Sequence, residues 1–157
     1  ARTGWTVAEL AAALTAADPR GPFALVTLLA GVNDQYRGGT PDAYRPAFRA
    51  LLARAVALAG ARPAHVVVIG IPDWGVTPFA AGRDRAAIAR ALDAFNRVAR
   101  AEAARAGARW VDVTAISRRH GADPAFLAAD GLHPGAAAYA EWTRAILPEA
   151  EAALRSP

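Results

Sequence analysis

One aspartate–histidine pair in the chain has the residue types and the spacing of an acid–base couple. Asp130 and His133 lie three residues apart in the segment Asp130-Gly131-Leu132-His133-Pro134, which has the composition of a turn. A carboxylate at this spacing can hold the imidazole ring in one tautomer, while the other ring nitrogen takes a proton from a nucleophile. The same residues could equally cap a turn and begin a helix, so the pair alone leaves both interpretations open.

A second polar group, Asn33, follows a glycine after an apolar run, in Gly31-Val32-Asn33-Asp34. A side-chain amide at such a position can donate a hydrogen bond to a developing oxyanion. An asparagine in a turn also bonds to its own backbone, which is the alternative. The other two histidines lack a nearby acidic residue or turn: we expect His65 at the start of a strand and His120 in a solvated loop.

Alternating strands and helices must position these polar residues. The apolar runs Phe23 to Ala30 and His65 to Gly70 are typical of strands buried on both faces, and Trp110 to Val113 is a third, short strand. With helices between the strands, this pattern predicts a parallel sheet covered on both faces. Because functional sites in such folds lie at the carboxyl ends of the strands, we expect Asn33 and the Asp130–His133 pair on one edge.

Capping residues and apolar periodicity predict the helices. We expect them from Thr6 to Asp18, from Thr40 to Gly60, from Asp84 to Gly107, and from Pro134 onwards. Pro148 is expected to interrupt the last helix. Residues 117 to 134 are predicted to be irregular, with one helical turn beginning near Pro124.

The composition narrows the function classes. A chain of 157 residues is one domain, 1–157, and 54% hydrophobic residues exclude a disordered chain. The absence of cysteine excludes a disulfide scaffold, a thiol nucleophile and a cysteine-bound metal. No apolar run approaches the ~18 residues of a membrane span. The net charge of +4 could indicate nucleic acid. The arginines are spread along the chain, however, so we predict no nucleic-acid partner.

Taken together, these segments resemble the conserved blocks of the SGNH hydrolases, the GDSL-type esterases and lipases. Gly31-Val32-Asn33-Asp34 resembles the G-x-N-D block, and Asp130-Gly131-Leu132-His133-Pro134 resembles the D-x-x-H block. Ala1-Arg2-Thr3-Gly4 resembles the end of the block with the oxyanion glycine, which assigns that role to Gly4. The resemblance covers essentially the whole chain. It implies a three-layer α/β/α fold with a flavodoxin-like parallel sheet.

The chain departs from the family pattern at the nucleophile. The family's serine lies in a G-D-S block on the first strand, and no such block occurs here. The two serines, Ser117 and Ser156, do not follow a strand in a glycine-rich turn. We therefore expect an N-terminally incomplete SGNH domain, with the first strand and the serine upstream. Since that strand is central in the family, Phe23 to Ala30 would lack a neighbour, and we expect residues 1–157 alone not to form a stable monomer.

The resemblance implies a serine esterase that acts on a small-molecule acyl or acetyl ester, without a metal or organic cofactor. In this role His133 is the general base and then the general acid, and Asp130 orients it. The Gly4 N–H and the Asn33 amide are the expected oxyanion donors. The loop from Ile71 to Phe79 is similar to a segment of bacterial members. Its candidates for lining the substrate site are Trp74, Val76 and Phe79, and packing in the core is an equal alternative for each of them.

Two alternatives remain open. The first is a non-catalytic SGNH-like binding domain that lacks the nucleophile. The second is an unrelated doubly wound domain of the receiver or flavodoxin kind, although a receiver needs a lysine that this chain does not have. We expect a cytoplasmic protein, with secretion as the alternative.

Overall fold

A computed structural model describes residues 2–156 and contains a three-stranded parallel sheet. The strands are β1 (Val26–Leu28), β2 (Val66–Ile69) and β3 (Arg109–Val111), and they lie in the order β1-β2-β3. In register, Val26 lies opposite Val66 across the first pair, and Val67 lies opposite Arg109 across the second. Both strand pairs are parallel, so all three carboxyl ends point the same way.

Six α-helices within residues 2–156 surround this sheet. They are α1 (Val7–Ala17), α2 (Val32–Tyr36), α3 (Pro41–Leu58), α4 (Arg85–Ala106), α5 (Thr114–His120) and α6 (Ala136–Arg155). Helices α3 and α4 cover one face with α1 packed on α3, while α5 and α6 lie on the other face. This arrangement confirms the predicted α/β class with helices on both faces. Across the same residues, no helix is both long enough and apolar enough to span a bilayer.

The helix boundaries follow from capping residues that the sequence displays. The Thr6 hydroxyl accepts a hydrogen bond from the Glu9 N–H, and the Glu9 carboxylate accepts one from the Thr6 N–H, which completes the predicted capping box. Thr40 caps α3 in the same way, with proline at the first helical position. Helix α4 ends at Gly107, whose φ of +77° is in the left-handed region that favours glycine.

The first strand is much shorter than the predicted run from Phe23 to Ala30. The Phe23 N–H donates to the Leu58 carbonyl at 2.8 Å, so the start of the run is tied to the end of α3 instead of the sheet. Within the described residues β1 pairs with β2 alone, and Thr27 in its middle is exposed. A strand with one paired edge has fewer hydrogen bonds to extend its regular geometry.

The helical predictions fail at two places near the carboxyl end. Helix α5 begins at Thr114, directly after the predicted third strand, and its last four residues, 117–120, lie in the stretch predicted to be irregular. At its start, the Asp112 carboxylate accepts a hydrogen bond from the Thr114 N–H at 2.8 Å. Helix α6 runs through Pro148 without interruption. Both Pro148 and Arg144, whose carbonyl loses its helical partner, are exposed, so water can solvate that carbonyl.

The larger part of the core lies between the sheet and the α3–α4 pair. Its fully buried large side chains include Phe48, Leu52, Leu92 and Phe95. A smaller cluster on the other face is formed by Val67, Val111, Val113, Ile116 and Trp142. The α3–α4 layer is therefore the main source of hydrophobic stabilisation.

A buried carboxylate also joins α3 to α4. Glu102 accepts hydrogen bonds from Arg49 at 2.8 and 2.9 Å, from Arg105 at 3.0 Å and from Arg45 at 3.2 Å. Burial raises its pKa, but the hydrogen bonds from Arg49 and its neighbours outweigh this and lower the pKa of Glu102 to about 2. The carboxylate is therefore ionised at neutral pH, and its charge is compensated.

Candidate active site

The carboxyl ends of the strands open into a cavity of about 540 Å³. Its wall is formed by residues from separate parts of the chain: Gly4 before α1, Asn33 after β1, Trp74 after β2, Ser117 after β3, and His133 before α6. The predicted common edge therefore exists. A volume of this size is in the range of small-molecule sites.

The Asp130–His133 turn is held by hydrogen bonds from side chain and backbone. One Asp130 carboxylate oxygen accepts from the N–H groups of Leu132 and His133, at 3.0 and 2.9 Å. The other carboxylate oxygen lies 2.5 Å from His133 Nδ1. The His133 carbonyl accepts from the Ala128 N–H at 2.8 Å, which fixes the turn to the preceding segment. Within residues 2–156, His133 Nε2 has no hydrogen-bond partner, so it is available to a reacting group.

These same hydrogen bonds set the charge of the turn. The His133 ring, then the His133 and Leu132 N–H groups, lower the pKa of Asp130 to about 2. Both side chains of the pair are half exposed, so burial opposes this only weakly. The residue beside the imidazole is therefore a carboxylate at every pH at which the protein would work.

Gly4 and Asn33, the predicted oxyanion donors, lie on the same cavity as His133. Gly4 has a φ of +88°, and nothing lies within 4 Å of a Cβ added there, so backbone conformation alone favours glycine. Asn33 Nδ2 donates to the Trp5 carbonyl at 2.9 Å, which leaves its second N–H for another acceptor. The structure brings these groups together; their catalytic roles remain predictions.

Two neighbours of Asn33 explain why its block has this sequence. Gly31 has a φ of +120°, and a Cβ there would lie 2.7 Å from the Tyr44 ring, so the chain can turn from β1 into α2 only with glycine. The Asp34 carboxylate accepts from the Val7 N–H at 3.0 Å and thereby holds the start of α1 against α2. The sequence analysis assigned no role to Asp34.

Two of the three residues predicted to line the substrate site lie on the cavity, and one does not. Trp74 and Phe79 line the cavity, but Val76 does not. Val76 instead packs against Gly121, where a Cβ would lie only 1.9 Å from Val76 Cγ2. Tyr36, at the end of α2, also lines the cavity and was missed by the sequence analysis.

The opposite wall comes from α5 and the turn after it. His120 is not a solvated loop residue as expected: it ends α5, lines the cavity and stacks on Phe126, with ring centroids 4.0 Å apart. Glu141 on α6 lies 3.5 Å from its Nε2. His65, in contrast, is buried directly before β2, as predicted. The stacking of His120 depends on a contact that sequence periodicity does not reveal.

The hydroxyl groups of both serines are already hydrogen bonded. Ser117 Oγ donates to the Thr114 carbonyl at 2.7 Å and accepts from the Asp73 N–H at 2.8 Å. Ser156 Oγ donates to the Ala152 carbonyl at 2.9 Å and accepts from Arg109 at 3.0 Å. Throughout the described part of the chain, neither hydroxyl is hydrogen bonded to His133. Residues 2–156 also contain no group of three or more His, Asp or Glu side chains arranged for a metal ion.

An ionised aspartate that orients a histidine, beside two N–H donors on one cavity, is typical of hydrolases that activate a hydroxyl nucleophile. Residues 1–141 match the profile of the GDSL-like lipase/acylhydrolase family, and the chain belongs to this family. No curated protein sequence is significantly similar to it.

Three solved structures share the fold. TesA is 27% identical with a TM-score of 0.66, over 94% of this chain and 73% of that one. LAE5, an α/β hydrolase from the metagenome of Lake Arreo, is 26% identical with a TM-score of 0.67, over 98% and 71% of the two chains. Axe2, an acetylxylan esterase from Geobacillus stearothermophilus, is 24% identical with a TM-score of 0.68, over 94% and 68%. Membership of the lipase/acylhydrolase family supports a function in ester hydrolysis.

Proposed function

We propose that this protein is a serine ester hydrolase in which Asp130 and His133 form the acid–base part of a triad. The observation that carries the proposal is the Asp130–His133 hydrogen bond of 2.5 Å beside a cavity that also contains Gly4 and Asn33. The proposal further assigns the nucleophile to a serine outside residues 1–157.

Two features of the described residues favour an external serine. Among the described residues, Ser117 is the serine that lines the cavity, but its hydroxyl proton is donated to the Thr114 carbonyl. The second edge of β1 has no partner strand among residues 2–156. A parallel strand added at that edge would end beside the cavity, next to Asn33, where a nucleophile is needed.

The proposed reaction then follows the chemistry of an acyl-enzyme. The serine oxygen attacks the ester carbonyl carbon, and His133 Nε2 takes its proton. Asp130 holds the ring through Nδ1 and stabilises the imidazolium. The Gly4 N–H and the free Asn33 N–H donate to the oxyanion, and each such donor is typically worth ~10²–10³ in rate. The imidazolium returns its proton to the leaving alcohol, and water repeats the sequence on the acyl group.

Short acyl esters are the proposed substrates. The cavity of about 540 Å³ has room for a small or medium acyl group between the Trp74 wall and the Phe126 wall. Similarity to an acetylxylan esterase makes acetyl esters the first substrates to test.

The test uses the full-length protein encoded by the parent gene. A fluorophosphonate probe should label one serine outside residues 1–157, found by peptide mapping, and p-nitrophenyl acetate should be hydrolysed. His133→Ala should abolish both signals. The control variant is Asp123→Asn. Like Asp130, Asp123 accepts a backbone hydrogen bond within its own turn, but it does not line the cavity, so both signals should be unchanged.

Labelling of Ser117 would contradict the external nucleophile, and unchanged labelling in His133→Ala would contradict the triad. A full-length protein without labelling and without hydrolysis of any p-nitrophenyl ester from acetate to decanoate would favour the non-catalytic binding domain.

A further inference from the structure

Three aromatic rings on one wall of the cavity surround an arginine side chain. The Arg83 guanidinium carbon lies 5.4 Å from the centroid of Tyr36 and 5.5 Å from those of Trp74 and Phe79. Its Nη2 also donates to the Tyr36 hydroxyl at 3.3 Å. All three rings line the cavity, so the guanidinium is attached to the cavity wall through cation–π contacts.

Two of the three rings are accessible to a ligand, and the third lies beneath them. Tyr36 is 44% exposed and Phe79 is 40% exposed, whereas Trp74 beneath them is only 7% exposed. The Trp74 indole N–H donates to the Gln35 side chain at 2.8 Å, which fixes the ring that supports the other two. Arg83 does not itself line the cavity; it lies against this aromatic wall and contacts all three of its rings.

The two carboxylates considered at the cavity each have a positively charged or hydrogen-bonding side-chain partner. The buried Asp73 carboxylate pairs with Arg118 at 2.9 Å, and Asp130 pairs with His133. In contrast, no carboxylate within residues 2–156 lies within 4 Å of Arg2, which lines the cavity, nor of Arg83, which lies against its aromatic wall. The charges of these two arginines are therefore free to attract an anionic ligand.

We propose that Arg83 is a specificity residue that selects ligands with an anionic group and an apolar body. The apolar part packs against Tyr36 and Phe79, and the anion accepts a charge-assisted hydrogen bond from the guanidinium. For the hydrolase proposed above, on which this substrate class rests, the preferred esters carry a carboxylate. A ligand cation is disfavoured because Arg83 already occupies the ring faces and would repel it.

A binding experiment tests this without any chemistry. The full-length protein is titrated with 4-phenylbutyrate and with the neutral 4-phenylbutanamide, and tryptophan fluorescence reports binding because Trp74 is part of the wall. The carboxylate should bind roughly two- to fivefold more tightly, as expected for one exposed charge pair, and 0.5 M salt should reduce this preference.

Substitutions separate charge recognition from support of the rings. Arg83→Gln should remove the preference for the carboxylate, and Arg83→Lys should retain part of it. Arg90→Gln, an exposed arginine on α4, is the matched control and should leave the preference unchanged. A preference that is absent from the wild type, or that survives in Arg83→Gln, would overturn the proposal; so would an equal loss of affinity for both ligands.

Kinetics extend the test to esters. The ratio of kcat/KM for mono-p-nitrophenyl adipate over p-nitrophenyl hexanoate should fall in Arg83→Gln by the same factor as the binding preference. An unchanged ratio would count against Arg83 as a specificity residue. Hydrolysis of neither ester would instead contradict the proposed function, and the binding titration would still decide the role of Arg83.

Discussion

Glu102 and Asp130 have the same lowered pKa, about 2, in opposite surroundings. Glu102 is 2% exposed and is held between α3 and α4 by three arginines. Asp130 is half exposed and is held by one histidine and two backbone N–H groups of its own turn. The difference shows that a lowered pKa alone does not identify a catalytic group, since structural ion pairs lower it equally.

The partners decide what each carboxylate does. Three of the four hydrogen bonds of Glu102 cross from α4 to α3, so its removal should weaken the packing of the two helices. The hydrogen bonds of Asp130 stay within four residues, and they fix the ring of His133 beside a cavity. We therefore expect substitutions at Glu102 to change stability and substitutions at Asp130 to change activity.

The largest expected effect is on turnover. Asp130→Asn in the full-length protein should lower kcat by up to ~10⁴, because the amide no longer stabilises the imidazolium and favours the wrong tautomer. The melting temperature should stay close to that of the wild type. Ester hydrolysis and thermal unfolding measured on the same preparation check this. If Asp130→Asn instead unfolds at a lower temperature while the folded fraction keeps its turnover, Asp130 has a structural role and not the proposed catalytic one.

The next effect is on stability. Glu102→Gln should lower the free energy of unfolding by about 1–3 kcal/mol, the usual loss for hydrogen bonds to a buried charged group. Turnover of the folded protein should be unchanged. Denaturant unfolding measures the difference, with Glu151→Gln as the control, since the Glu151–Arg155 pair is exposed and 3.6 Å long. Equal losses in both variants would show that burial of Glu102 contributes nothing.

A third measurement uses pH to test whether the charge of Glu102 stabilises the fold. The pKa of Glu102 is lowered from its ordinary value of 4.5, so its contribution to stability is complete above that value and is lost as the pH falls towards 2. The stability difference between wild type and Glu102→Gln should therefore shrink from pH 5 downwards. Unfolding curves at intervals between pH 7 and pH 3 check it. A stability difference that grows as the pH falls would contradict the lowered pKa of Glu102.

The smallest effect ranks the arginines around Glu102. Arg49 donates two hydrogen bonds, at 2.8 and 2.9 Å, whereas Arg45 donates one at 3.2 Å. Arg49→Ala should therefore destabilise the protein more than Arg45→Ala, and both should destabilise it less than Glu102→Gln, because two arginines remain in each case. Paired chemical denaturation curves give the order. Arg45→Ala as the more damaging change would contradict the geometry.

Local signals account for the parts of the fold that the sequence predicts correctly. The capping box at Thr6, the Thr40-Pro41 start of α3 and the Gly107 end of α4 are each determined by a few adjacent residues. The turn of Asp130 and His133 is equally local, since its hydrogen bonds span only three residues. Such features need no knowledge of the rest of the molecule.

The features that the sequence did not reveal depend on distant contacts. Strand β1 is short because its start is tied to α3, and α6 continues through Pro148 because that side of the helix faces solvent. The packing of Val76 on Gly121, and of Arg83 on rings from two separate segments, brings together residues about 45 positions apart. Periodicity and motif spacing carry no information about such pairs.

The segment around Gly4 is linked to α2 by three hydrogen bonds, which has a consequence for motion. Arg37 donates to the Gly4 carbonyl at 2.8 Å, Asn33 donates to the Trp5 carbonyl, and Asp34 accepts from the Val7 N–H. We therefore expect Gly4 and Asn33, the predicted oxyanion donors, to move together and to keep their mutual spacing. The His133 turn belongs to a different part of the chain. A motion that widens the cavity would therefore change the distance from His133 to Gly4 and Asn33 more than the distance between Gly4 and Asn33.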